Sequence, residues 1–557
     1  MQAQEGDEYV FESSVRSNET TPLFNERKVT YITDQTSNQG QFNAGQIQFS
    51  LDTLGSQSQW VDLKDAVIEF PIKMEVKNVS AVSSTGGLYS TILKNGFHQW
   101  IDGVQLVING TTIQSSQVYE NIAASFRILS TWSQDTLQKY GATTGVALDD
   151  VSGSHGNSAS TSGLANATLA SITPPNRGID TVTTAGVGLV NRGVASRARW
   201  FNQSATTSDV IGGLIGSSGL VQSGQANAAG TSSSVAGNTI YVQYVMATVR
   251  LRDLCDIEQL PLLKNLKGFL YINCNQFQVD ISASSSAVSS VTYSPLSGRT
   301  CPFVANIMSV APGLNPGTSA TVSVTGRIDG TSTVTGFATA AAPVITQGRL
   351  LAPFYTANPR IDAALTKSAH KFSTLDKLVN PIQVSKGQSI NYTVTVGVPN
   401  ARRLVLLPMW QNLGGSTTLT NLSSPAFSAF DCTPATSGVY AYLQNLQVLL
   451  GNKAIFQNPI NYDFEMWANE ISTTGAYGGH SDEMASGLLS QSLWSQNHRY
   501  YTVDLGRRMD SEDNASKSVQ VSFTNPSATY DMQVIAIVFY ERKWEVDTAK
   551  CQISSAV

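Results

Sequence analysis

The sequence predicts an all-β protein built from two tandem copies of one antiparallel unit. Strand-like alternation of apolar and polar residues runs through most of the chain, helical patterns are few, and two distant segments repeat the same order of elements. With 557 residues, the chain is long enough for several domains that each have a sizeable core.

The clearest strand pattern is "IEFPIKMEV", in which apolar residues from Ile68 to Val76 alternate strictly with other residues. Period two is typical of a half-buried strand. Pro71 has no amide N–H to give to a neighbouring strand, so we expect it near a sheet edge or at a bulge. Further strands are predicted, from their Val, Ile, Tyr and Phe content, at "GQIQFSL", "TIYVQYVMATVRL", "GFLYINCNQFQVDI", "INYTVTVGV", "SVQVSF" and "MQVIAIVFY".

Helical patterns are confined to short segments. In "VYENIAASFRILS", apolar residues from Tyr119 to Leu129 recur at helical spacing. The next segment, "SQDTLQKYG", runs from a candidate N-cap, Ser133, to a candidate C-cap, Gly141. Residues 461–471, "NYDFEMWANEI", predict a third short helix.

Two stretches have little periodicity and are rich in Gly, Ser, Ala and Thr. They run from about Val151 to Gly237 and from Ser282 to Ala342. Strand patterns resume after each of them. We therefore expect long surface loops on a β scaffold, broken in the second stretch by short strand-like pieces.

A small hairpin pattern occurs twice. The stretch "VQLVINGTTIQ" turns at Asn109-Gly110, and "LQVLLGNKAIF" turns at Gly451-Asn452. Both pairs suit a type I′ turn, which joins two adjacent antiparallel strands. A short helical pattern follows each hairpin, "VYENI" in the first case and "INYDF" in the second.

The spacing of these matches indicates duplication. Aligning the hairpins sets an offset of 342 positions, and Gly45 of "GQIQFSL" precedes Gly387 of "GQSINYTV" by the same 342. Further along, Val249 aligns with Val503 at an offset of 254, so the first copy carries about 88 extra residues. A period this long indicates two domains, not a solenoid of short repeats.

Each copy has about eight strands, long loops and one helical excursion, which favours a jelly roll. Immunoglobulin-type sandwiches are smaller, at about 100 residues, and have no helix in this place. We predict two tandem antiparallel eight-stranded jelly rolls with short helices and long loop insertions. The first takes residues 1–365, with a long insertion at about 141–238, and the second takes residues 366–557.

Composition argues against several classes of function. Charged residues make up only 13% of the chain and the net charge is −5, which suits a surface used in large contacts. No basic arm that would neutralise nucleic acid phosphates is apparent. Five scattered Cys without a CxxC argue against a zinc knuckle and a disulfide framework. We expect neither a secretory signal nor a membrane-spanning segment.

No catalytic motif stands out. HExxH, GxSxG and a phosphate-binding glycine loop are missing. His480, Asp482 and Glu483 in "GGHSDE", and the adjacent Asp149-Asp150, are better explained as solvated loop residues than as metal ligands or a glycosidase pair. We predict no catalytic residue, no metal site, no cofactor and no enzymatic activity. We expect core packing for the tryptophans Trp60, Trp100, Trp410 and Trp467.

The chain resembles the double-jelly-roll major capsid proteins of Polinton-like viruses and virophages, within the wider group of adenovirus-like capsids. The resemblance covers most of the sequence from about Val29 to Trp410. It is carried by "VTYITDQTSNQGQFNAGQIQFSLDTL", "LKNGFHQWIDGVQLVINGTTI", "ATVRLRDLCDIEQLPLLKNLKGFLYINCNQ", "GRLLAPFYTANPRI" and "GVPNARRLVLLPMW".

This resemblance implies a major capsid protein of a DNA virus that is made and assembled inside the host cell and located in the virion. Three chains would form a pseudo-hexameric capsomer, and capsomers would tile an icosahedral shell around the genome. The implied partners are two further copies, neighbouring capsomers, and penton and minor capsid proteins. An internal membrane would not be in direct contact, and no sequence-specific nucleic acid binding is expected.

Two alternatives remain open from the sequence. One is a single-jelly-roll capsid protein with a projecting domain, although the acidic N-terminal segment counts against the basic arm that such shells usually carry. The other is a β-sandwich carbohydrate-binding protein, which requires an exposed strip of aromatics. The C-terminal stretch "ERKWEVDTAKCQISSAV" is a candidate arm between neighbouring molecules.

Overall fold

The computed structural model describes residues 23–36, 40–42, 44–55, 59–79, 87–148, 193, 197–202, 210–211, 223–226, 237–284, 287–310, 319–335, 345–367, 369–410, 441–472, 487–496, 498–506, 515–547, 550 and 552–555. The strands up to residue 357 are β1 (Phe24–Thr33), β2 (Gln46–Ser50), β3 (Trp60–Val61), β4 (Val67–Asn78), β5 (Gly87–Leu93), β6 (Ile101–Ile108), β7 (Thr111–Gln114), β8 (Ala198–Asn202), β9 (Val210–Ile211), β10 (Ser223–Ala226), β11 (Thr239–Arg250), β12 (Gly268–Cys274), β13 (Gln276–Ser284), β14 (Ala287–Ser297), β15 (Phe303–Val310), β16 (Ser319–Ile328) and β17 (Arg349–Ala357).

The strands that follow are β18 (Ala369–Val384), β19 (Ser389–Pro399), β20 (Ala401–Trp410), β21 (Gln444–Leu450), β22 (Lys453–Ala454), β23 (Tyr501–Asp504), β24 (Ser516–Thr524), β25 (Met532–Asp547) and β26 (Gln552–Ser555). The helices are α1 (Asp52–Gly55), a 3₁₀ turn (Phe97–Trp100), α2 (Glu120–Thr131), α3 (Gln134–Thr144), α4 (Leu251–Leu254), α5 (Pro359–Lys367), α6 (Phe464–Ser472) and α7 (Gln491–Gln496). No helix of the described residues is long and apolar enough to cross a membrane.

Eight strands of the first half form a jelly roll. One sheet has the order β1-β17-β4-β11 and the other has the order β2-β12-β6-β7, with antiparallel pairing throughout. Along the chain, successive strands pass from one sheet to the other except at the β6–β7 hairpin. This is the Greek-key connectivity of a jelly roll.

The second half repeats this arrangement strand for strand. Its sheets are β18-β25-β20-β23 and β19-β24-β21-β22, again antiparallel. Every strand takes the place of its counterpart in the first half. The predicted pair of tandem jelly rolls is confirmed, and we call them barrel 1 and barrel 2.

The hairpin prediction and its alignment are also confirmed. Asn109 and Gly110 have φ angles of 47° and 80°, and Gly451 and Asn452 have 55° and 66°. Positive φ at both central positions is the requirement of a type I′ turn. The hairpins β6–β7 and β21–β22 occupy equivalent positions in their sheets.

The core of barrel 1 follows the alternation in β4. Side chains of this strand from Ile68 to Val76 that point inward are fully buried. The expectation for Pro71 is wrong, because β4 is an interior strand and has no bulge there. On one side of β4, pairing changes from β17, which ends at Glu69, to β16, which begins at Ile72. Pro71 occupies that gap, where an amide N–H would have no strand partner.

Three of the tryptophans expected in the core, Trp60, Trp100 and Trp467, are at most 3% exposed. The side chain of Trp410 lies outside the described residues. Ser133 is the N-cap of α3 and accepts the N–H of Thr136 at 3.1 Å, as predicted.

The predicted end of α3 is wrong. The helix continues past Gly141, which is buried, and stops at Gly145, whose φ of +71° is the left-handed conformation of a C-cap. At Gly141, a Cβ atom would lie 2.8 Å from the carbonyl oxygen of Val146. Close packing, not chain reversal, therefore explains the first glycine.

The second low-periodicity stretch, Ser282–Ala342, contains more regular structure than expected. Strands β14, β15 and β16 lie within it, and β16 pairs with both β13 and β4. The expected strand-like pieces include "ATVSVTGRI", which is part of β16, but the expectation that the rest is surface loop is wrong, because β14 and β16 extend the sheet of barrel 1 and β15 pairs with β5 in a separate sheet. In the first stretch, Val151–Gly237, β8 pairs with β5 and β10 pairs with β11, and most other positions lie outside the described residues.

The C-terminal stretch folds onto its own chain. Strand β25 continues to Asp547, and β26 returns to pair with it. Ile553 is 5% exposed and packs in the core cluster of barrel 1, where its carbonyl accepts the Thr111 hydroxyl at 2.9 Å. The hypothesis of an arm between molecules is not supported for these residues.

Candidate functional site: the seam between the barrels

Helix α2 follows the β6–β7 hairpin of barrel 1 along the chain, but its apolar face lies in the core of barrel 2. Ile122, Phe126 and Leu129 are at most 1% exposed and pack in one cluster with residues of β20 and β25. The Phe126 ring lies 6.3 Å from the ring of Phe539 and 5.7 Å from that of Tyr500, centroid to centroid. We call the contact between α2 with its flanking segments and barrel 2 the seam.

A buried ion pair lies at the start of α2. The Lys377 ammonium on β18 donates to the Glu120 carboxylate, and the two side chains are 1% and 0% exposed. The side-chain amide of Gln114 also donates to Glu120, at 3.3 Å. Removing two charges from water is costly, so such a pair persists only where both partners are held in place.

A second buried carboxylate joins the barrels beside this pair. Asp376, fully buried on β18, accepts the Ser115 hydroxyl of barrel 1 at 2.9 Å. From barrel 2 it accepts the Tyr540 hydroxyl and the Arg542 guanidinium, each at 3.2 Å. These directional contacts fix the position of β18 relative to barrel 1.

The segment after α4 completes the seam. The Asp256 carboxylate accepts the backbone N–H of Leu375 at 2.6 Å, and the Gln259 side-chain oxygen accepts the N–H of Ser373 at 3.1 Å. Burial raises the pKa of Asp256, although the positive charge of Arg127 opposes this effect. The Arg403 guanidinium of β20 is 1% exposed and lies 5.9 Å from the Phe126 ring.

The seam is therefore apolar at its centre and bounded by charged hydrogen bonds. Contacts of this kind hold two barrels in one fixed relative orientation. The buried side chains of Glu120, Lys377 and Asp376 each have a charged or hydrogen-bonding partner within the seam.

Two solved structures share this fold along nearly the whole chain. A chain of the Sputnik virophage, solved by cryo-EM at 3.5 Å, matches with a TM-score of 0.53 and 10% identity, covering 97% of this chain and 90% of its own. The crystal structure of the mavirus major capsid protein matches with a TM-score of 0.50 and 10% identity, covering 100% of this chain and 95% of its own. No protein-family model and no curated protein sequence matches the chain.

The chain has the double-jelly-roll fold of the mavirus capsid protein. At 10% identity the likeness concerns the fold and does not carry over any individual residue.

Other groups of polar side chains lie away from the seam. Within the described ranges, no group of three or more His, Cys, Asp or Glu residues is placed to hold a metal ion. His480, Asp482, Glu483 and Asp149-Asp150 lie outside those ranges. A groove of about 340 Å³ on the outer side of β4 and β16 is lined by residues of both charge signs, among which Lys73 and Asp329 are 3.6 Å apart.

One pair has the composition of a nucleophile and a base. His98 Nε2 lies 2.8 Å from the Ser125 hydroxyl. Both residues are at most 4% exposed, and burial lowers the pKa of His98 to about 3. A neutral imidazole without access to solvent serves as a structural hydrogen-bond partner.

The cysteines that the structure describes, Cys255, Cys274 and Cys301, are free and buried. Burial raises the pKa of the Cys255 and Cys301 thiols to about 12. Thiols in this environment are protonated and inert.

Proposed function

We propose that this chain is a viral major capsid protein that assembles as a trimer into pseudo-hexameric capsomers. The observation that supports the proposal most strongly is the pair of jelly rolls with identical strand order, joined by a buried seam. Three such chains around one axis present six similar barrels, which pack with neighbours in a hexagonal lattice.

The rigidity of the seam supports the same proposal. A pseudo-hexameric capsomer needs a constant angle between the two barrels of each chain, and a flexible linker would not supply one. The contacts of α2, Glu120 and Asp376 fix that angle by burial and by directional hydrogen bonds. We propose a division into residues 1–365 and 366–557, since no strand pairing between described residues joins strands before residue 358 to strands after residue 368.

The proposed setting is the virion, in an icosahedral shell around a DNA genome. Neighbouring capsomers, penton proteins and minor capsid proteins are the proposed partners. A net charge of −5 leaves genome neutralisation to other components. The proposed role includes no catalysis and no cofactor.

The structure argues against the two alternative functions that the sequence left open. A single jelly roll with a projecting domain is incompatible with two barrels of equal strand order. A carbohydrate-binding surface needs a strip of exposed aromatics, and the large hydrophobic residues that are exposed within the described ranges include only two aromatics, Tyr31 and Tyr442.

Light scattering after size-exclusion chromatography tests the proposal. The expected mass is three times the 59.6 kDa of one chain. Negative-stain images of the same peak are expected to show a particle with threefold symmetry and six lobes. A monodisperse monomer, or a particle with three lobes, would contradict the proposal.

A further inference from the structure

An exposed apolar surface lies on the outer face of β1. Val29 is 57% exposed and Tyr31 is 55% exposed, and they follow each other on one face of the strand. Among the described strands, β1 ends the strand order of its sheet and pairs with β17 alone. Natural edge strands usually carry charges or a cover over such positions, so these two side chains require an explanation.

The internal repeat shows what the equivalent surface does in barrel 2. Ile68 on β4 pairs with Val249, and Leu404 on β20 pairs with Val503. Val249 and Val503 are aligned in the internal repeat, so their partners Ile68 and Leu404 are equivalent as well. This equivalence fixes which residue of barrel 2 corresponds to each residue of barrel 1 in these sheets.

The same correspondence extends through β17 and β25 to the edge strands that pair with them, β1 in barrel 1 and β18 in barrel 2. Leu351 is then equivalent to Phe539, and on the edge strands Tyr31 is equivalent to Lys377. By the same register, Val29 is equivalent to Leu375. All of these positions lie on the outer face of their sheet.

In barrel 2 this face is covered by the seam. Lys377 is 1% exposed under Glu120, Phe539 is 0% exposed against α2, and the backbone of Leu375 donates to Asp256. In barrel 1 the equivalent face is open to solvent at Val29 and Tyr31. The same surface of the repeated unit is therefore covered once in the chain and left bare once.

We propose that the bare surface of barrel 1, which comprises β1 and β17, binds a second copy of this chain. This inference rests on the proposed trimer and names its contact. The binding segment of the second copy is residues 444–472, which contain the β21–β22 hairpin and α6. It occupies the place in barrel 2 that the β6–β7 hairpin and α2 occupy in barrel 1.

The charges favour this contact, because the groove beside β1 is lined by five basic side chains and two acidic ones, Asp65 and Glu69. In the seam, an acid at the start of the helix, Glu120, meets a base on the edge strand, Lys377. The helix α6 begins with exposed Asp463 and Glu465. On the bare surface of barrel 1, the Arg349 guanidinium lies 4.9 Å from the Tyr31 ring.

The shape of the surface agrees with a docked helix. A groove of about 520 Å³ extends from Arg27 along the outer face of β4 at Val67 to Arg250, and Lys139, Tyr140, Thr143 and Thr144 of α3 form its other wall. Val67 is equivalent to Arg403 of barrel 2, which packs on Phe126 of α2 in the seam. The groove therefore lies where the seam places its helix.

Substitution at the bare surface tests the contact. Val29→Asp and Tyr31→Asp each place a charge where the second copy docks, and the full-length variants are expected to show the 59.6 kDa mass of one chain at a concentration where the wild type is a trimer. Val396→Asp is the matched control, because Val396 on β19 is 88% exposed outside the proposed contact. Unchanged far-UV circular dichroism in all three variants excludes misfolding.

A photocrosslink identifies the occupant. Tyr31 is replaced by p-benzoylphenylalanine in full-length protein, and a mixture of ¹⁵N-labelled and unlabelled chains separates links between copies from links within one chain. The expected product joins position 31 to a peptide from residues 444–472 of another copy. Links to residues 1–22 of the same chain, or to any other peptide, would overturn the assignment.

The outcomes separate the two proposals. A trimeric wild type whose Tyr31→Asp variant stays trimeric contradicts the surface but leaves the capsid function standing. A monomeric wild type contradicts both. A trimer lost equally in Val396→Asp and Tyr31→Asp also contradicts the surface, because any added surface charge would then suffice.

Discussion

Replacing Lys377 by methionine leaves the Glu120 carboxylate at the seam without its positive partner. The two side chains are 1% and 0% exposed, so water does not screen the remaining charge. Removing one partner of a buried pair costs about 3–5 kcal/mol. The neutral amide of Gln114 donates to Glu120 at 3.3 Å in the wild type as well, so it does not offset this loss. We expect the Lys377→Met variant to be destabilised by about 3–5 kcal/mol.

The double variant Glu120→Gln/Lys377→Met provides the control. It removes both charges and keeps an acceptor for Gln114, so its free energy of unfolding is expected to lie within about 1 kcal/mol of the wild type. A double-mutant cycle then isolates the interaction between the two residues.

Urea denaturation followed by tryptophan fluorescence measures these free energies. All variants are compared at one protein concentration, because association contributes to apparent stability. A single variant as stable as the wild type would show that the pair is not buried as described. A double variant as unstable as Lys377→Met would show that the methionine disturbs packing, and the electrostatic explanation would be wrong.

Four further outcomes are expected. Phe70→Asp is expected to yield no soluble folded protein in an expression test, because Phe70 is 0% exposed in the core of barrel 1 and a carboxylate there has no partner; a soluble variant with native circular dichroism would contradict the strand register. Deleting residues 152–163, "SGSHGNSASTSG", is expected to leave the melting temperature unchanged, since that stretch has no core pattern, and loss of folding would refute its assignment as a surface loop. Gly145→Ala is expected to lower the free energy of unfolding by about 1–2 kcal/mol, because φ is +71° and the added Cβ would lie 3.0 Å from the Phe97 ring; equal stability would mean that the C-cap is misplaced. Burial lowers the pKa of His98 to about 3, below the value of about 6.5 in an unfolded chain. The stability that the neutral buried imidazole contributes is therefore complete above pH 6.5 and falls toward pH 3 by up to about 1.4 kcal/mol per pH unit. Curves of unfolding free energy against pH for the wild type and His98→Gln that stay parallel over this range would contradict the burial.

Several features of the fold were accessible from sequence because they depend on local pattern. Alternation from Ile68 to Val76 identifies a strand whose inward side chains are all buried. Asn109-Gly110 and Gly451-Asn452 identify the turns, because only residues that tolerate positive φ suit them. The offset between these turns then reveals the duplication and, with it, the fold class.

The errors at Pro71 and in the stretch Ser282–Ala342 have a common cause, which is the presence of neighbours that lie far away along the chain, whereas the error at Gly141 is one of local packing. Pro71 is accommodated inside a sheet because β17 and β16 leave a gap between them, and no local pattern shows where a distant strand stops. Gly141 is required by the approach of Val146, so a residue that usually ends a helix lies within one. Strand β16 pairs despite weak periodicity because β17 leaves the second half of β4 without a partner on that side, and β15 pairs with the distant β5 in a separate sheet.

By itself the sequence determined the strands, the turns and the doubling of the unit, since period two and positive φ are properties of a few adjacent residues. Only the tertiary structure decided what covers each face. Glu120 and Lys377 are 257 positions apart and give no mutual signal in the sequence, yet they meet in the seam. An amphipathic pattern states that one side of an element is buried, but the surface that buries it is chosen by the packing of the whole chain, and for β1 we propose that it is chosen by a second molecule.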